Sequence, residues 1–250
     1  MLRAPFDARA QSAVAPPGSV TIRARALDFL DSLARGSSDV ALVDPMLVER
    51  NRSISDSLAR AHMGTVLYIE LTPEYAQASV DLIRELGSGE IVTYGYNDDP
   101  ATFASILRRQ SRANRGQLLL RALAPQIALM PSDLRRGIRN ISSHGHRIDS
   151  VDRLATLCGV GRNTLFSNFR IAGIKSVSGF ITALIFLRNY DLLVDSSLTM
   201  IDVARATGFG SERSLRHQLI AIAGLSLQEI REPVSAESLT ERIASILTAK

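Results

Sequence analysis

The chain of 250 residues has a hydrophobic fraction of 46% and a charged fraction of 22%, which suffices for one large or two small domains and excludes wholesale disorder. No stretch offers about 18 uncharged apolar residues, so no membrane-spanning helix and no membrane partner are expected. The single cysteine, Cys158, excludes an intrachain disulfide and is typical of a reducing compartment, so we expect a cytoplasmic protein.

Charge is distributed unevenly along the chain, although the net charge is only +4. Acidic side chains dominate residues 36–110, whereas residues 111–148 carry seven arginines and one aspartate. An acidic block followed by a basic one indicates two domains with different partners. Nearly all positive charge is arginine, the side chain suited to forked contacts with phosphate and guanine, but codon bias alone would give the same excess and is the favoured explanation.

The first half of the chain has the pattern of a small α/β domain. Residues 1–20 are rich in Ala, Pro and Ser and predict a flexible tail, followed by an amphipathic helix that ends at Gly36. Short apolar or β-branched runs at 40–43, 65–71 and 90–96 predict strands that alternate with helices. Residues 21–115 are therefore predicted to form a small α/β domain with a parallel sheet.

By fold pattern alone, this domain resembles a degenerate receiver domain. Asp44 follows the first strand and suits an acid pocket, but Glu70 stands where a phosphate-accepting Asp would be. No lysine precedes Lys175, so the usual phosphorylation chemistry is not expected. We expect a regulatory or dimerisation role instead.

The second half is predicted to be all-α, with a helix–turn–helix pattern that occurs twice. Residues 116–147 are predicted to be linker helices, interrupted at Pro125. The first copy has Ala155, Gly159 in the turn, and Leu165 and Phe169 on the buried face. The second copy has Gly208 in the turn. Ala204 and Leu215 are 11 positions apart, whereas the equivalent Ala155 and Leu165 are 10 apart, so the second copy has one additional residue after its turn. Its predicted buried residues are Ile201, Val203, Ala204, Leu215 and Leu219, and a continuous apolar helix over 178–194 joins the copies.

The segment "DVARATGFGS", the Leu165/Phe169 pair and the closing "GLSLQEIR" resemble the DNA-binding domain of the AraC/XylS transcription regulators. The resemblance covers about residues 148–232, and residues 233–250 are predicted to be a C-terminal helix or tail. It implies a double helix–turn–helix domain that binds double-stranded DNA. The chain departs from the family pattern at Ile185, Leu215, Leu219, Ile220 and Leu227.

The outward side chains of the two recognition helices are the candidate DNA-binding residues. Asn163 could read adenine, Arg213 guanine, Glu212 cytosine and Phe166 a thymine methyl group. Arginines such as Arg162 are better suited to phosphate contact. Phe166 could instead be a partly buried core residue. The full predicted set is Arg162, Asn163, Thr164, Phe166, Ser167, Arg170, Glu212, Arg213, Arg216 and His217.

These observations predict a sequence-specific transcription regulator. The alternative is a protein-interaction module whose helix–turn–helix domain has lost DNA binding, which the apolar run 219–225 would permit. RNA polymerase and a second copy of the chain, bound through the N-terminal domain or helices 116–142, are further candidate partners. No enzymatic activity, cofactor or metal is expected, because His144 and His146 lack cysteines or acids at metal-binding spacing and no phosphate loop follows a strand.

Overall fold

The computed structural model describes residues 29–30, 40–61, 64–86, 90–143, 148–232 and 234–249. The predicted tail 1–20 lies outside the described residues, as does most of the helix predicted to end at Gly36. The chain divides into two compact units, Met1–Asn114 and Arg115–Lys250. None of the described helices is both long and apolar enough to cross a membrane.

The first unit contains a three-stranded parallel sheet with strand order β1-β2-β3, which confirms the predicted small parallel sheet. Two short helices between β1 and β2 were not expected from the sequence. The elements are β1 (Val40–Val43), α1 (Pro45–Glu49), α2 (Arg52–Ala61), β2 (Gly64–Ile69), α3 (Pro73–Leu86), β3 (Glu90–Thr93) and α4 (Pro100–Ala122), and the boundary between the units falls within α4.

The central strand β2 is buried along its whole length because both faces of the sheet are covered. Leu67 and Ile69 contribute to a cluster with side chains of α1, α2 and α3. Val66 and Tyr68 point the other way and pack with Phe103 of α4. Because side chains on both faces of β2 are buried, its sequence is continuously apolar and does not alternate between apolar and polar residues.

Asp44 does not line an acidic pocket, so that prediction is wrong. Its side chain is fully buried at the start of α1, where Oδ1 accepts a hydrogen bond from the Met46 amide at 2.9 Å. Its other oxygen accepts from the Tyr75 hydroxyl at 3.2 Å. Because Pro45 begins a helix directly after β1, the carboxylate turns inward as a helix N-cap.

The second unit is built from helices throughout its described residues. It contains the last residues of α4 and ten further helices, several of which correspond to predicted segments. These are α5 (Ala124–Ala128), α6 (Ser132–Ser143), α7 (Val151–Leu157), α8 (Arg162–Ile171), α9 (Val177–Arg188), α10 (Tyr190–Val194), α11 (Met200–Thr207), α12 (Glu212–Ala223), α13 (Leu227–Arg231) and α14 (Ala236–Thr248).

The helices predicted to be linkers instead contribute to the core of the second unit. Leu119 and Leu123 of the α4 region, and Leu134 and Ile138 of α6, are buried in one cluster with the helices that follow residue 148. A methyl group on Gly137 would lie 2.9 Å from the Cα atom of Cys158, so α6 crosses the end of α7 at very short range. Residues 116–143 therefore belong to the same packed unit as the predicted double helix–turn–helix.

The predicted continuous helix over 178–194 is wrong, because α9 ends at Arg188 and α10 begins at Tyr190. Asn189 separates them, with φ −108° and ψ 24°, and its Nδ2 donates to the carbonyl oxygen of Ile185 at 2.8 Å. An asparagine side chain that competes for backbone groups in this way favours a helix end. α9 is buried on nearly all sides, which explains its apolar sequence.

Candidate nucleic-acid interface

Two helix pairs of the second unit, α7–α8 and α11–α12, are closed by the same kind of turn. Gly159 and Gly208 both have positive φ, 67° and 84°, a conformation that glycine adopts without strain. In each pair the backbone amide after the glycine donates to the carbonyl oxygen five residues earlier. Val160 N donates to Ala155 O at 3.0 Å, and Phe209 N donates to Ala204 O at 2.8 Å. This is the Schellman arrangement that ends a helix and redirects the chain.

The additional residue that the sequence predicts after the second turn is Gly210. In the first pair Gly161 is the N-cap of α8 and follows Val160 directly. In the second pair Gly210 stands between Phe209 and the N-cap of α12, Ser211, whose hydroxyl accepts from the Ser214 amide at 3.1 Å. The two turns therefore differ by one residue and otherwise follow the same plan.

The buried faces of the helix pairs agree with the prediction except at one position. Leu165 and Phe169 of α8 and Leu215 and Leu219 of α12 are buried in the main cluster. Ile201, predicted to be buried, is instead 52% exposed. The buried face of α11 runs through Val203, Ala204 and Thr207, and Ile201, in the first turn of the helix, lies at the edge of that face.

The outward faces of α8 and α12 correspond position by position, at an interval of 50 residues. In both helices the outward residues are spaced i, i+3, i+4 and i+7, opposite the buried pair. The outward stripe of α8 consists of Asn163, Phe166, Ser167 and Arg170, and the outward stripe of α12 consists of Arg213, Arg216, His217 and Ile220.

On α8, most of the predicted site residues are accessible. Asn163, Thr164 and Arg170 are exposed and Ser167 is half-buried. Phe166 is 40% exposed, so it is not a core residue, and its ring centroid lies 5.6 Å from the guanidinium carbon of Arg162. Arg162 also contacts the Asp152 carboxylate of α7 at 3.2 Å, in an exposed ion pair.

On α12, the predicted site residues surround an open depression. It is lined by Arg213, Arg216, His217, Ile220 and Ala221. The carboxylate of Glu212, predicted to contact cytosine, binds Arg216 of the same helix at 2.7 Å. Ile220 is 52% exposed on the outward stripe, whereas Ile222, Ala223 and Leu225 of the same apolar run are buried.

Two exposed arginines beside the first helix pair are not among the predicted site residues. Arg136 and Arg139 lie on the outer face of α6, the helix that packs on the end of α7 through Gly137. The spacing of the buried residues Leu134 and Ile138 was the signal that could have placed them outward. Arg136 binds Asp133 of the same helix at 2.7 Å, both of them exposed.

No group of His, Cys, Asp and Glu able to hold a metal ion occurs among the described residues. Cys158 is 7% exposed, and burial raises the pKa of its thiol to about 11. A comparison of the chain with protein-family models found no match, and comparisons with curated proteins and with solved structures found no significant one.

Proposed function

We propose that the chain is a sequence-specific DNA-binding transcription regulator of the AraC type. In this proposal α7–α8 and α11–α12 are helix–turn–helix units, and α8 and α12 are the recognition helices. The observation that carries the proposal is the pair of equivalent outward stripes on two helices that follow equivalent turns. A helix–turn–helix unit places its second helix in the major groove, with polar side chains toward the base edges.

The outward side chains of the two recognition helices have complementary tasks in this proposal. Asn163 reads adenine and Arg213 reads guanine, since their side chains match the edges of these bases. Arg162, Arg170 and Arg216 bind phosphates. The ion pairs of Arg162 and Arg216 are exposed and therefore weak, so phosphate oxygens can replace Asp152 and Glu212 at small cost.

The first unit serves a regulatory or dimerisation role in the proposed function, with RNA polymerase or a second copy of the chain as partners. The burial of Asp44 supports a role that does not depend on phosphorylation, because this carboxylate is engaged inside the fold.

A second function, binding of a protein partner by the α12 face, is favoured by one observation. Ile220 and Ala221 expose apolar surface within the depression of α12, at positions where a DNA-binding helix commonly carries polar groups. Binding through an apolar surface would depend little on salt, whereas DNA binding weakens steeply as salt increases.

The deciding experiment is selection of sites from a random double-stranded DNA pool by the full chain, followed by titration at several salt concentrations. We expect an enriched sequence bound with a Kd of about 10⁻⁸–10⁻¹¹ M. Absence of enrichment, together with binding that does not respond to salt, would exclude the DNA-binding function.

Position 170 of α8 and the equivalent position 220 of α12 allow a matched pair of substitutions. Arg170→Ala should weaken binding to all sequences and reduce the salt slope by about one, as expected for one lost phosphate contact. Ile220→Arg adds a cation at an exposed site and should increase the salt slope by about one. If neither variant changes the salt slope, these two positions do not lie in the DNA interface.

A further inference from the structure

The C-terminal helix α14 contacts the chain just beyond each proposed recognition helix. After α8, the backbone amide of Lys175 donates to the carbonyl oxygen of Leu247 at 2.9 Å. At the end of α12, Arg242 Nε donates to the Ala223 carbonyl oxygen at 2.9 Å and Nη2 donates to that of Gly224 at 3.3 Å. One helix therefore contacts both the end of α12 and the short segment that links α8 to α9.

These polar contacts are backed by close packing. Leu239, Ile243 and Leu247 of α14 are buried in the main cluster. A methyl group on Gly179 of α9 would lie 3.1 Å from Leu247 Cδ2 and 3.2 Å from Ile222 Cδ1. α9, α12 and α14 thus meet at a closely packed point, where one more carbon atom would require the neighbouring side chains to move.

The contact points on α14 are close together. Arg242 and Leu247 are five residues apart, about 7.5 Å along a helix that rises ~1.5 Å per residue. The covalent path from α8 to α12 is much longer, since it passes through α9, α10 and α11 and is interrupted at Asn189. The path through α14 is shorter, because it consists only of residues 172–175, which follow α8, and one helix.

We propose that α14 is a brace that fixes the spacing and relative orientation of the two recognition helices, with Arg242 as its main positioning residue. The inference rests on the proposed DNA-binding function and adds a role for a helix outside the double helix–turn–helix pattern. When two binding elements are held in register, binding of the first raises the effective concentration of the second. Loosening the brace should therefore weaken binding to a complete site more than binding to either half.

The test compares the full chain with Arg242→Met, which keeps the aliphatic stem and removes the hydrogen-bond donors. Glu241→Ala, on the exposed face of the same helix, is the matched control. The probes are the DNA site selected by the wild-type chain, each half-site beside scrambled sequence, and complete sites with the spacer lengthened or shortened by one base pair. Binding is measured by titration, and thermal unfolding checks that each variant is folded.

We expect Arg242→Met to lose roughly tenfold in affinity for the complete site, with unchanged affinity for each half-site and a weaker preference for spacer length. Glu241→Ala should behave as wild type. Arg242→Lys, a milder change that retains the charge but not the forked pair of donors, should give an intermediate loss and covers the case in which Arg242→Met does not fold.

Two outcomes would overturn the brace while leaving DNA binding intact. One is an unchanged ratio of complete-site to half-site affinity in the Arg242 variants. The other is a proportional loss for the complete site and for both half-sites, because this would mean that Arg242 only stabilises the fold. A wild-type chain that selects no DNA sequence would instead contradict the proposed function itself, and the brace with it.

Discussion

Asn163 and Arg213 occupy equivalent positions on α8 and α12, and both are exposed. We expect Asn163→Ala to relax base preference at its subsite by about 1–3 kcal/mol. Arg213→Ala should have a smaller effect, because α12 has Ile220 at the position where α8 has Arg170, the residue proposed to bind a DNA phosphate. Site selection with each variant measures both effects. Loss of specificity in the Arg213 variant alone would show that α12 is the dominant reader.

Cys158 is the sole cysteine, so thiol labelling reports on one position. Its pKa is raised to about 11 by burial, so at pH 8 the thiol is almost entirely protonated and unreactive. We expect slow alkylation by iodoacetamide in the native protein and fast alkylation in denaturant. Fast labelling of the folded chain would contradict the packing of Cys158 beneath Gly137.

At the scale of single elements, the turn between α11 and α12 depends on Gly208. A side chain at its φ of 84° is strained, so Gly208→Ala should lower the free energy of unfolding by about 1–2 kcal/mol. Gly210→Ala is the control, because a methyl group there meets nothing within 4 Å. Urea unfolding of both variants measures the difference, and equal stabilities would argue against a left-handed requirement at Gly208.

The Gly208 variant should also bind DNA less well than its loss of stability explains. The turn sets the angle at which α12 leaves α11, and a strained turn can relax by changing that angle. Gly210→Ala lies in the same turn, so a DNA-binding defect confined to Gly208→Ala would link binding to turn geometry rather than to the substitution of a glycine.

At the scale of the whole molecule, a fragment that begins at residue 148 should be much less stable than one that begins at residue 115. Starting at 148 removes several fully buried side chains, each of which contributes roughly 1.5–3 kcal/mol when buried. Small domains have only about 5–15 kcal/mol of net stability to lose. The side chains removed are Leu119, Leu123, Ile127, Leu134, Ile138 and Ile141.

Thermal unfolding of the two fragments, followed by circular dichroism, checks this expectation. The 115–250 fragment should unfold cooperatively, whereas the 148–250 fragment should show a broad transition or none. If the shorter fragment unfolds cooperatively at the same midpoint as the longer one, the domain begins at residue 148, as the sequence pattern predicts.

The sequence by itself determined the features that depend on neighbours along the chain. The three strands, the two helix pairs, the glycine turns and the residue added by Gly210 follow from local periodicity and from the preference of glycine for positive φ. The outward stripes of α8 and α12 follow in the same way, since helical periodicity alone sets them opposite the buried pairs.

Only the tertiary structure decided which elements share a core and which faces are covered. The sequence of residues 116–143 did not show which helices they pack against, and only their burial in the main cluster places them inside the second unit. Ile201 is apolar but exposed, and the apolar run at 178–194 breaks at Asn189. The end of α12 and the segment after α8 both contact α14, because Arg242 donates to the Ala223 carbonyl oxygen and the Leu247 carbonyl oxygen accepts from the Lys175 amide, contacts that no local pattern encodes.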